Sequence, residues 1–252
     1  MVHRAIAAIK VGENTSDKLK IVLNESIQAT WPFVHAVHRL TGRIIYQPSD
    51  IIKEMRCKTE YGKFVLPASC FWQLIPQYEP DVKGVIQSLK GGLFMDVGAN
   101  VGTYSVMASR LAGKVIAIEP DPFYFSYLRK NIALNGCKNV EVWNLAGGFG
   151  EDRVAFYPHK FGVSKMDSSL GSNGEPPIQV ETKTLDSILG GRIPELVKID
   201  AEGAEFSILS GLTTKTRIIF EVLQFEMESL GLLEKRGYSV SKLSDGNYLA
   251  VP

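Results

Sequence analysis

The sequence has few cysteines, no long apolar run and almost no net charge, and each absence excludes a class of protein. Its 252 residues include three cysteines, Cys57, Cys70 and Cys137, which are not spaced like metal ligands. A disulfide framework or zinc site is therefore not expected, and a reducing compartment is the default. No apolar run reaches the roughly 18 residues of a membrane span, and the first ten residues lack a signal-peptide core. We expect a cytoplasmic protein with no membrane partner.

The balance of charge argues against a protein that coats nucleic acid. Lys plus Arg number 28 and Asp plus Glu number 27, for a formal net charge of +1. Such a chain has no global positive field with which to hold a polyanion. A local patch would still suffice for site-specific RNA binding, so nucleic acid is disfavoured as a partner without being excluded.

Short apolar runs alternate with helix-like segments from residue 80 onward. This alternation predicts a doubly wound, mostly parallel sheet with helices on both faces, in a domain of residues 80–252. Two last extended runs surround Asp245-Gly246, a strong turn signal, and predict a terminal antiparallel hairpin. The parallel strands are expected at 93–97, 114–119, 139–144, 196–200 and 217–222.

Two stretches fall outside the alternation. Residues 1–79 predict a small mixed accessory segment, with a helix over about 17–38 and two short extended pieces around Tyr61-Gly62. We expect this segment to be a cap that binds the substrate. Residues 151–185 hold two further extended pieces, and 159–177 between them is rich in Gly, Ser, Pro and Lys. This composition predicts a mobile loop that closes over the reacting group.

The strongest local motif is DVGANVGT at residues 96–103, which follows an apolar strand and opens a helix. Gly98 and Gly102 permit a tight turn and a close approach to a ligand. Asp96 can accept hydrogen bonds from a cationic amine or from loop amides. A strand–turn–helix junction without a ligand would show the same motif, so the motif needs a second signal beside it.

That second signal is Glu119, which ends the next strand 23 residues after Asp96. An acidic residue there suits the two ribose hydroxyls of an adenosine. A dinucleotide would need G-x-G-x-x-G and a helix N-terminus that faces its pyrophosphate, which Asp96 would repel. Asp96 instead suits the ammonium of a methionine moiety. The pattern favours S-adenosylmethionine over NAD, and the lack of G-K-[ST] excludes a P-loop.

The third strand places Trp143, Asn144, Leu145 and Ala146 at its carboxyl end, where an adenine would be stacked and read. Asn144 either contacts the adenine or caps the turn, and the sequence leaves both readings open.

The fourth strand ends in Lys198-Ile-Asp200-Ala-Glu202-Gly-Ala-Glu205. Lys198 and Asp200 lie on the same side of the strand, with Asp200 at its carboxyl end. Carboxylates are favourable near a helix N-terminus, but three within six residues exceed what capping needs. They could supply a general base or bind Mg²⁺ through oxygen, and the sequence does not separate these roles.

The chain resembles the FkbM-type methyltransferases, beginning around Tyr78-Glu79-Pro80 and continuing over about two thirds of its length. The resemblance implies an S-adenosylmethionine-dependent enzyme of the seven-stranded class I, Rossmann-like fold that methylates hydroxyl oxygens of sugars and other small molecules. Asp-x-Glu-Gly-x-Glu on the fourth strand is its most specific element. The matching segments are, in order, DVGANVGTYSVMA, VIAIEPDP, LRKNIALN, TLDSIL, LVKIDAEGAEFSILSG and IIFEV.

Together the motifs and the resemblance define a set of site residues. Asp200 is the first candidate for the base or acceptor-orienting group, followed by Glu202 and Lys198, with Glu221 at the end of the fifth strand behind them. Mg²⁺ is possible as a second cofactor, although no metal-ligand set is assigned. The predicted cofactor-binding residues are Glu79, Asp96, Gly98, Asn100, Gly102, Thr103, Glu119, Asn144 and Ala146.

Two other functions remain as alternatives. An RNA methyltransferase is the first, but no Asn/Asp-Pro-Pro-Tyr element follows the fourth strand, which argues against methylation of base amines. A non-catalytic protein that binds an adenosyl ligand is the second, and the intact glycine loop and acidic cluster argue against it.

Overall fold

The computed structural model divides the chain into two compact units, Met1–Tyr78 and Glu79–Pro252. It describes residues 10–26, 52–158, 165–166, 176–222, 227–244 and 246–252. Within these stretches, every helix is too short or too polar to cross a membrane. Most of the predicted 159–177 loop lies outside the described residues, so its closing role stays a prediction.

The first unit contains a helix, a hairpin and a short 3-10 helix. Helix α1 covers residues 15–26, and the part of the predicted helix beyond residue 26 lies outside the described residues. Strands β1 (Met55–Lys58) and β2 (Lys63–Leu66) correspond to the extended segments predicted on either side of Tyr61-Gly62, and they pair antiparallel. A 3-10 helix, Ala68–Leu74, follows. The proposed role of this unit as a substrate-binding cap stays a prediction.

A seven-stranded sheet forms the centre of the second unit, with the strand order β12-β13-β11-β10-β3-β4-β5. The five strands from β11 to β5 run parallel, and β13 pairs antiparallel with β11 and with β12. The strands are β3 Leu93–Val97, β4 Lys114–Ile118, β5 Val140–Trp143, β10 Leu196–Ile199, β11 Arg217–Glu221, β12 Ser239–Lys242 and β13 Asn247–Val251. The predicted doubly wound sheet and terminal hairpin are confirmed.

The helices connect these strands and cover the sheet. Buried Val and Ile side chains of the central strands pack with apolar side chains of the helices to form the core, as expected for a parallel sheet that is covered by helices. The helices are α2 Pro80–Gln87, α3 Thr103–Ala108, α4 Pro122–Leu134, α5 Leu185–Leu189, α6 Glu205–Ser210 and α7 Glu228–Lys235.

The strand order reverses between β3 and β10. From β3 the chain builds outward through β4 to β5, then returns to lay β10 on the other side of β3. Ligands of doubly wound sheets bind outside the carboxyl ends of the strands at such a reversal. The sheet therefore brings the ends of β3, β4 and β10, and the motifs that follow them, to one edge.

A second, four-stranded sheet lies between β5 and β10 in the chain. Its order is β6-β9-β7-β8, formed by Ala146–Gly147, Ile178–Lys183, Asp152–Tyr157 and Lys165–Met166 respectively. The two extended pieces predicted in this region are β7 and β9, which pair antiparallel. The prediction extended the second piece to residue 185, but Thr184 caps helix α5 by accepting a hydrogen bond from the Ser187 amide (3.1 Å).

Candidate functional site

The glycine loop lies between the carboxyl ends of β3, β4 and β10. Gly98 and Gly102 have φ of +79° and +87°, a region that L side chains rarely adopt. The amides of Gly98 and Ala99 donate to the Ile118 carbonyl at 3.0 and 2.9 Å, which fixes the loop to the end of β4. A Cβ added at Gly98 would overlap the backbone carbonyl of Asp200. The loop therefore touches the end of β10 as well.

Asp96 is almost completely buried, with 1% of its surface exposed. Its Oδ2 accepts a hydrogen bond from the Ser105 hydroxyl at 2.6 Å, whereas its Oδ1 has no donor among the described residues. Burial raises the pKa of Asp96, although the Lys198 ammonium and Ser105 oppose this rise. A buried carboxylate oxygen without a donor fits a cationic ligand such as an ammonium group.

Glu119 is held at the end of β4 by two backbone amides. It accepts hydrogen bonds from the amides of Asn100 and Asp121, both at 2.8 Å. Burial raises the pKa of this carboxyl to about 8, although the two amides act to lower it. Each oxygen still has a free lone pair, so Glu119 can accept further hydrogen bonds from a pair of ribose hydroxyls.

The remaining residues of the adenosyl prediction have mainly structural contacts. The Asn144 amide donates to the carbonyls of Glu119 and Pro120 at 2.8 and 3.0 Å. Of the two roles that the sequence left open for Asn144, adenine contact and turn cap, these contacts match the turn cap. Ala146 is buried in β6, and Thr103 is buried as the first residue of α3. Asn100 has φ of +52°, which aims its amide at Glu119. Their roles toward a cofactor stay predictions.

Glu79 joins two distant parts of the unit. The Tyr104 hydroxyl donates a short hydrogen bond to Glu79 Oε2, and the Asn247 amide donates to Oε1 at 2.9 Å. Neither Tyr104 nor Asn247 was predicted as a site residue from the sequence. Tyr104 directly follows Thr103 of the glycine motif, which is a usable signal, whereas only the pairing of β13 brings Asn247 to this place. A cofactor-binding role for Glu79 stays a prediction.

Lys198 is a buried cation between carboxylates. It is 2% exposed, its Nζ lies 2.8 Å from Asp200 Oδ2, and it also lies 4.9 Å from the centre of the Tyr104 ring. Burial lowers the pKa of Lys198, but the nearby carboxylates, Asp200 foremost, outweigh burial and raise it above its usual value. The ammonium is therefore charged and holds Asp200 in one place.

Three carboxylates meet beside this ion pair. Oxygens of Asp200, Glu202 and Glu221 all lie within 4.8 Å of one another. Glu205 does not join them, because its oxygens accept hydrogen bonds from the amides of Ala201 (2.7 Å) and Gly203 (2.9 Å). Of the three carboxylates in the Asp-x-Glu-Gly-x-Glu motif, one thus stabilises the turn, and Glu221 from β11 takes the third place in the cluster.

The chain is similar in sequence to known methyltransferases. The model of the family described as "Methyltransferase FkbM domain" matches residues 96–240. The chain is 27% identical over 180 residues to "Methyltransferase 1" of Beauveria bassiana, a match that covers 58% of this chain and 72% of the relative. It is 29% identical over 128 residues to "Hexuronic acid methyltransferase AglP" of Haloferax volcanii, covering 47% of this chain and 48% of that protein.

One solved structure with a similar fold is that of a methyltransferase FkbM from Methylobacillus flagellatus. The match has a TM-score of 0.49 and 14% identity, and covers 99% of this chain and 58% of that one.

Proposed function

The chain belongs to the FkbM methyltransferase family and is an S-adenosylmethionine-dependent methyltransferase, and we propose that it methylates a hydroxyl oxygen on a small molecule or sugar. The observation that carries the proposal is the cluster of Asp200, Glu202 and Glu221 beside the glycine loop. A hydroxyl group must lose its proton as it is methylated, and carboxylates at this edge can receive that proton. The match to a hexuronic acid methyltransferase supports a sugar as one class of acceptor.

Asp96 and Glu119 are the residues that we expect to hold the cofactor. The free Oδ1 of Asp96 would accept a hydrogen bond from the ammonium of its methionine moiety, and Glu119 would accept from its ribose hydroxyls. When bound, the cofactor supplies a methyl group that is already activated by a positively charged sulfur. The protein therefore has to align the acceptor and provide for its proton.

Two features define the role that we propose for Asp200. Its carboxylate is fixed by Lys198, and its backbone lies against Gly98 of the cofactor loop. A fixed carboxylate next to the donor can orient an incoming hydroxyl by accepting its hydrogen bond. Glu202, two residues further on, adds negative charge that disfavours a polyanion such as RNA as the acceptor.

The proposal requires no metal ion. The Lys198 ammonium already neutralises Asp200, and a cation such as Mg²⁺ would compete with it. We therefore expect chelation to leave methyl transfer unchanged. If a chelator stops transfer and added Mg²⁺ restores it, the metal alternative replaces this part of the proposal.

The test measures formation of S-adenosylhomocysteine with a panel of acceptors. Methyl glycosides, macrocyclic alcohols and other polyols form the hydroxyl arm, and primary amines and transfer RNA form the opposing arms. We expect product only in the hydroxyl arm. Turnover that is confined to amines or to RNA would contradict the proposal.

A variant then separates binding from chemistry. With the acceptor found in that panel, Asp200→Asn should lower turnover by about 10²–10⁴-fold, the usual size of such catalytic help. Cofactor affinity should change by no more than a few-fold, because Asp200 lies outside the pair Asp96 and Glu119. Asp152→Asn in the second sheet is the matched control and should keep full turnover. Wild-type turnover in Asp200→Asn would remove this residue from the mechanism.

A further inference from the structure

Glu221 and Asp200 occupy equivalent places on neighbouring strands. β10 and β11 are parallel and in register, with Ile199 beside Phe220, so the next residues of the two strands, Asp200 and Glu221, lie side by side at the carboxyl edge. On its other side, Glu221 is opposite Asn247 of β13. Among these strands, β10 is the one adjacent to the cofactor strand β3. Glu221 thus lies one strand further from the cofactor than Asp200.

The two carboxylates have different partners. Asp200 is bonded to the Lys198 ammonium, whereas the described residues provide no hydrogen-bond donor to the Glu221 carboxylate. In the described part of the chain, the charged groups that act most on Glu221 are Lys198 of β10, Asp200 directly after it, Glu202 of the turn and Glu205 of α6. The residue opposite Glu221 on β13 is the uncharged Asn247.

These surroundings favour the neutral form of Glu221 when no ligand is bound. Burial first, and then the charges of Asp200, Glu202 and Glu205, raise the pKa of Glu221 to about 8, against the lowering effect of Lys198. Once a bound positive charge has expelled its proton, a carboxylate of this kind is a far better proton acceptor near neutral pH than an ordinary one. Asp200, in contrast, is paired with the Lys198 ammonium.

We propose that the acceptor's proton passes to Glu221, while Asp200, anchored by Lys198, orients the hydroxyl group. This inference rests on the proposed function and divides the chemistry between two neighbouring carboxylates. A lone pair of the acceptor oxygen forms the new bond to the methyl carbon, and the electron pair of the broken carbon–sulfur bond stays on sulfur. The oxygen keeps the electrons of its O–H bond, and Glu221 gains the proton and becomes a neutral carboxylic acid, which later loses the proton to water.

The inference has a test that needs no acceptor. Sinefungin resembles the cofactor but carries a primary ammonium group in place of the methylated sulfur, and S-adenosylhomocysteine carries neither the methyl group nor the charge. If Glu221 faces the transferred methyl, the ammonium of sinefungin will favour the ionised carboxylate and expel its proton. Protons released at Asp96 and Glu119 are common to both ligands and cancel in the comparison.

Calorimetry at pH 7.0 in two buffers of different ionisation enthalpy counts the protons. We expect wild-type protein to release about 0.5–0.9 proton more with sinefungin than with S-adenosylhomocysteine, the fraction held by a group of pKa near 8. Glu221→Gln should abolish this excess and still bind both ligands. Glu221→Asp should retain it, and so should Glu181→Gln, a matched control in the second sheet.

Each result has one meaning. The inference is overturned if wild-type protein releases no extra protons with sinefungin, or if Glu221→Gln still releases them. In either case, binding of S-adenosylhomocysteine would leave the proposed function standing. Failure of the wild-type protein to bind either ligand overturns both. Because the wild-type comparison alone can reject the inference, the test does not depend on the folding of any variant.

Discussion

Two groups of carboxylates lie along the same sheet edge, and they are supported in different ways. The cofactor end consists of Asp96 and Glu119, whose oxygens are held by the Ser105 hydroxyl and by two backbone amides. At the proposed acceptor end, Asp200 is paired with the buried Lys198 ammonium, and oxygens of Asp200, Glu202 and Glu221 lie within 4.8 Å of one another. Neutral donors that are fixed in the fold prepare a carboxylate to bind, whereas the crowding of like charges raises the affinity of a carboxylate for a proton.

The glycine loop is the part that the two ends have in common. The Gly98 amide donates a hydrogen bond to the end of β4. The Asp200 carbonyl occupies the space that a side chain at Gly98 would need. A substitution in this loop should therefore affect both groups of carboxylates, whereas a substitution in one group should affect that group alone.

The largest effect is expected from Gly98→Ala, which should damage both ends together. The added Cβ meets backbone that cannot move aside, and the residue keeps a positive φ. We expect the free energy of unfolding to fall by about 3 kcal/mol or more, with loss of cofactor binding. Gly136→Ala is the control, since its φ is +62° but the added Cβ meets nothing within 4 Å. Gly136→Ala should lower the free energy of unfolding, measured in urea, by about 1 kcal/mol. Equal decreases in the two variants would show that the contact between Gly98 and Asp200 does not contribute to stability.

An intermediate effect is expected at the cofactor end. Glu119→Ala removes charge-assisted hydrogen bonds to the ribose and should weaken S-adenosylmethionine binding by about 10- to 100-fold. Glu202→Gln at the acceptor end should leave this affinity within a few-fold. Calorimetry with the cofactor, beside NAD and ATP, measures both. Unchanged affinity in Glu119→Ala would remove this residue from the cofactor site, and a preference for NAD would contradict the assignment of the cofactor.

The smallest effect concerns the stability of the free protein at different pH values. Because the pKa of Glu221 rises from its ordinary value of 4.5 to about 8 on folding, the folded state keeps a proton that the unfolded chain releases. Wild-type stability should therefore fall between pH 4.5 and pH 8 relative to Glu221→Gln. We expect the variant to be more stable by about 1 kcal/mol at pH 9, and the gap to narrow toward pH 5.

Glu221→Asp keeps the carboxyl group and is the control for that measurement. It should follow the wild-type dependence on pH in urea unfolding. A gap between wild type and Glu221→Gln that is the same at pH 5 and pH 9 would contradict the placement of Glu221 among like charges.

Sequence patterns were sufficient for the sheet because its strands are continuous apolar runs that end in turn residues. The run at 93–97 is β3 to the residue, and the two strands predicted on either side of Asp245-Gly246 pair as a hairpin. Helix α5 was not predicted because Thr182 and Thr184 continue the β-branched pattern of the preceding strand. In the structure, Thr184 is the N-cap of that helix. Local pattern cannot distinguish the last residue of a strand from a helix cap when β-branched residues continue through both.

The acidic motif was likewise predicted in part from the sequence and in part only shown by the structure. Sequence spacing placed Lys198 and Asp200 on one side of β10, and the 2.8 Å ion pair follows from that alternation. The spacing could not show that Glu205 turns back to two amides of its own turn, nor that Glu221 replaces it in the cluster. Those outcomes depend on the path of the turn after β10 and on which strand lies next to it.

The sequence by itself determined the alternation of strands and helices, the glycine loop and the residues at the strand ends, because these follow from local patterns of side-chain type and spacing. Only the tertiary structure decided which strand ends are neighbours. Glu221 is 21 residues after Asp200 in the chain, yet the pairing of β10 with β11 sets them side by side. Asn247 reaches Glu79 across 168 residues for the same reason. The order of the strands depends on the packing of the whole core. It therefore determines which of the residues predicted at the strand ends become neighbours.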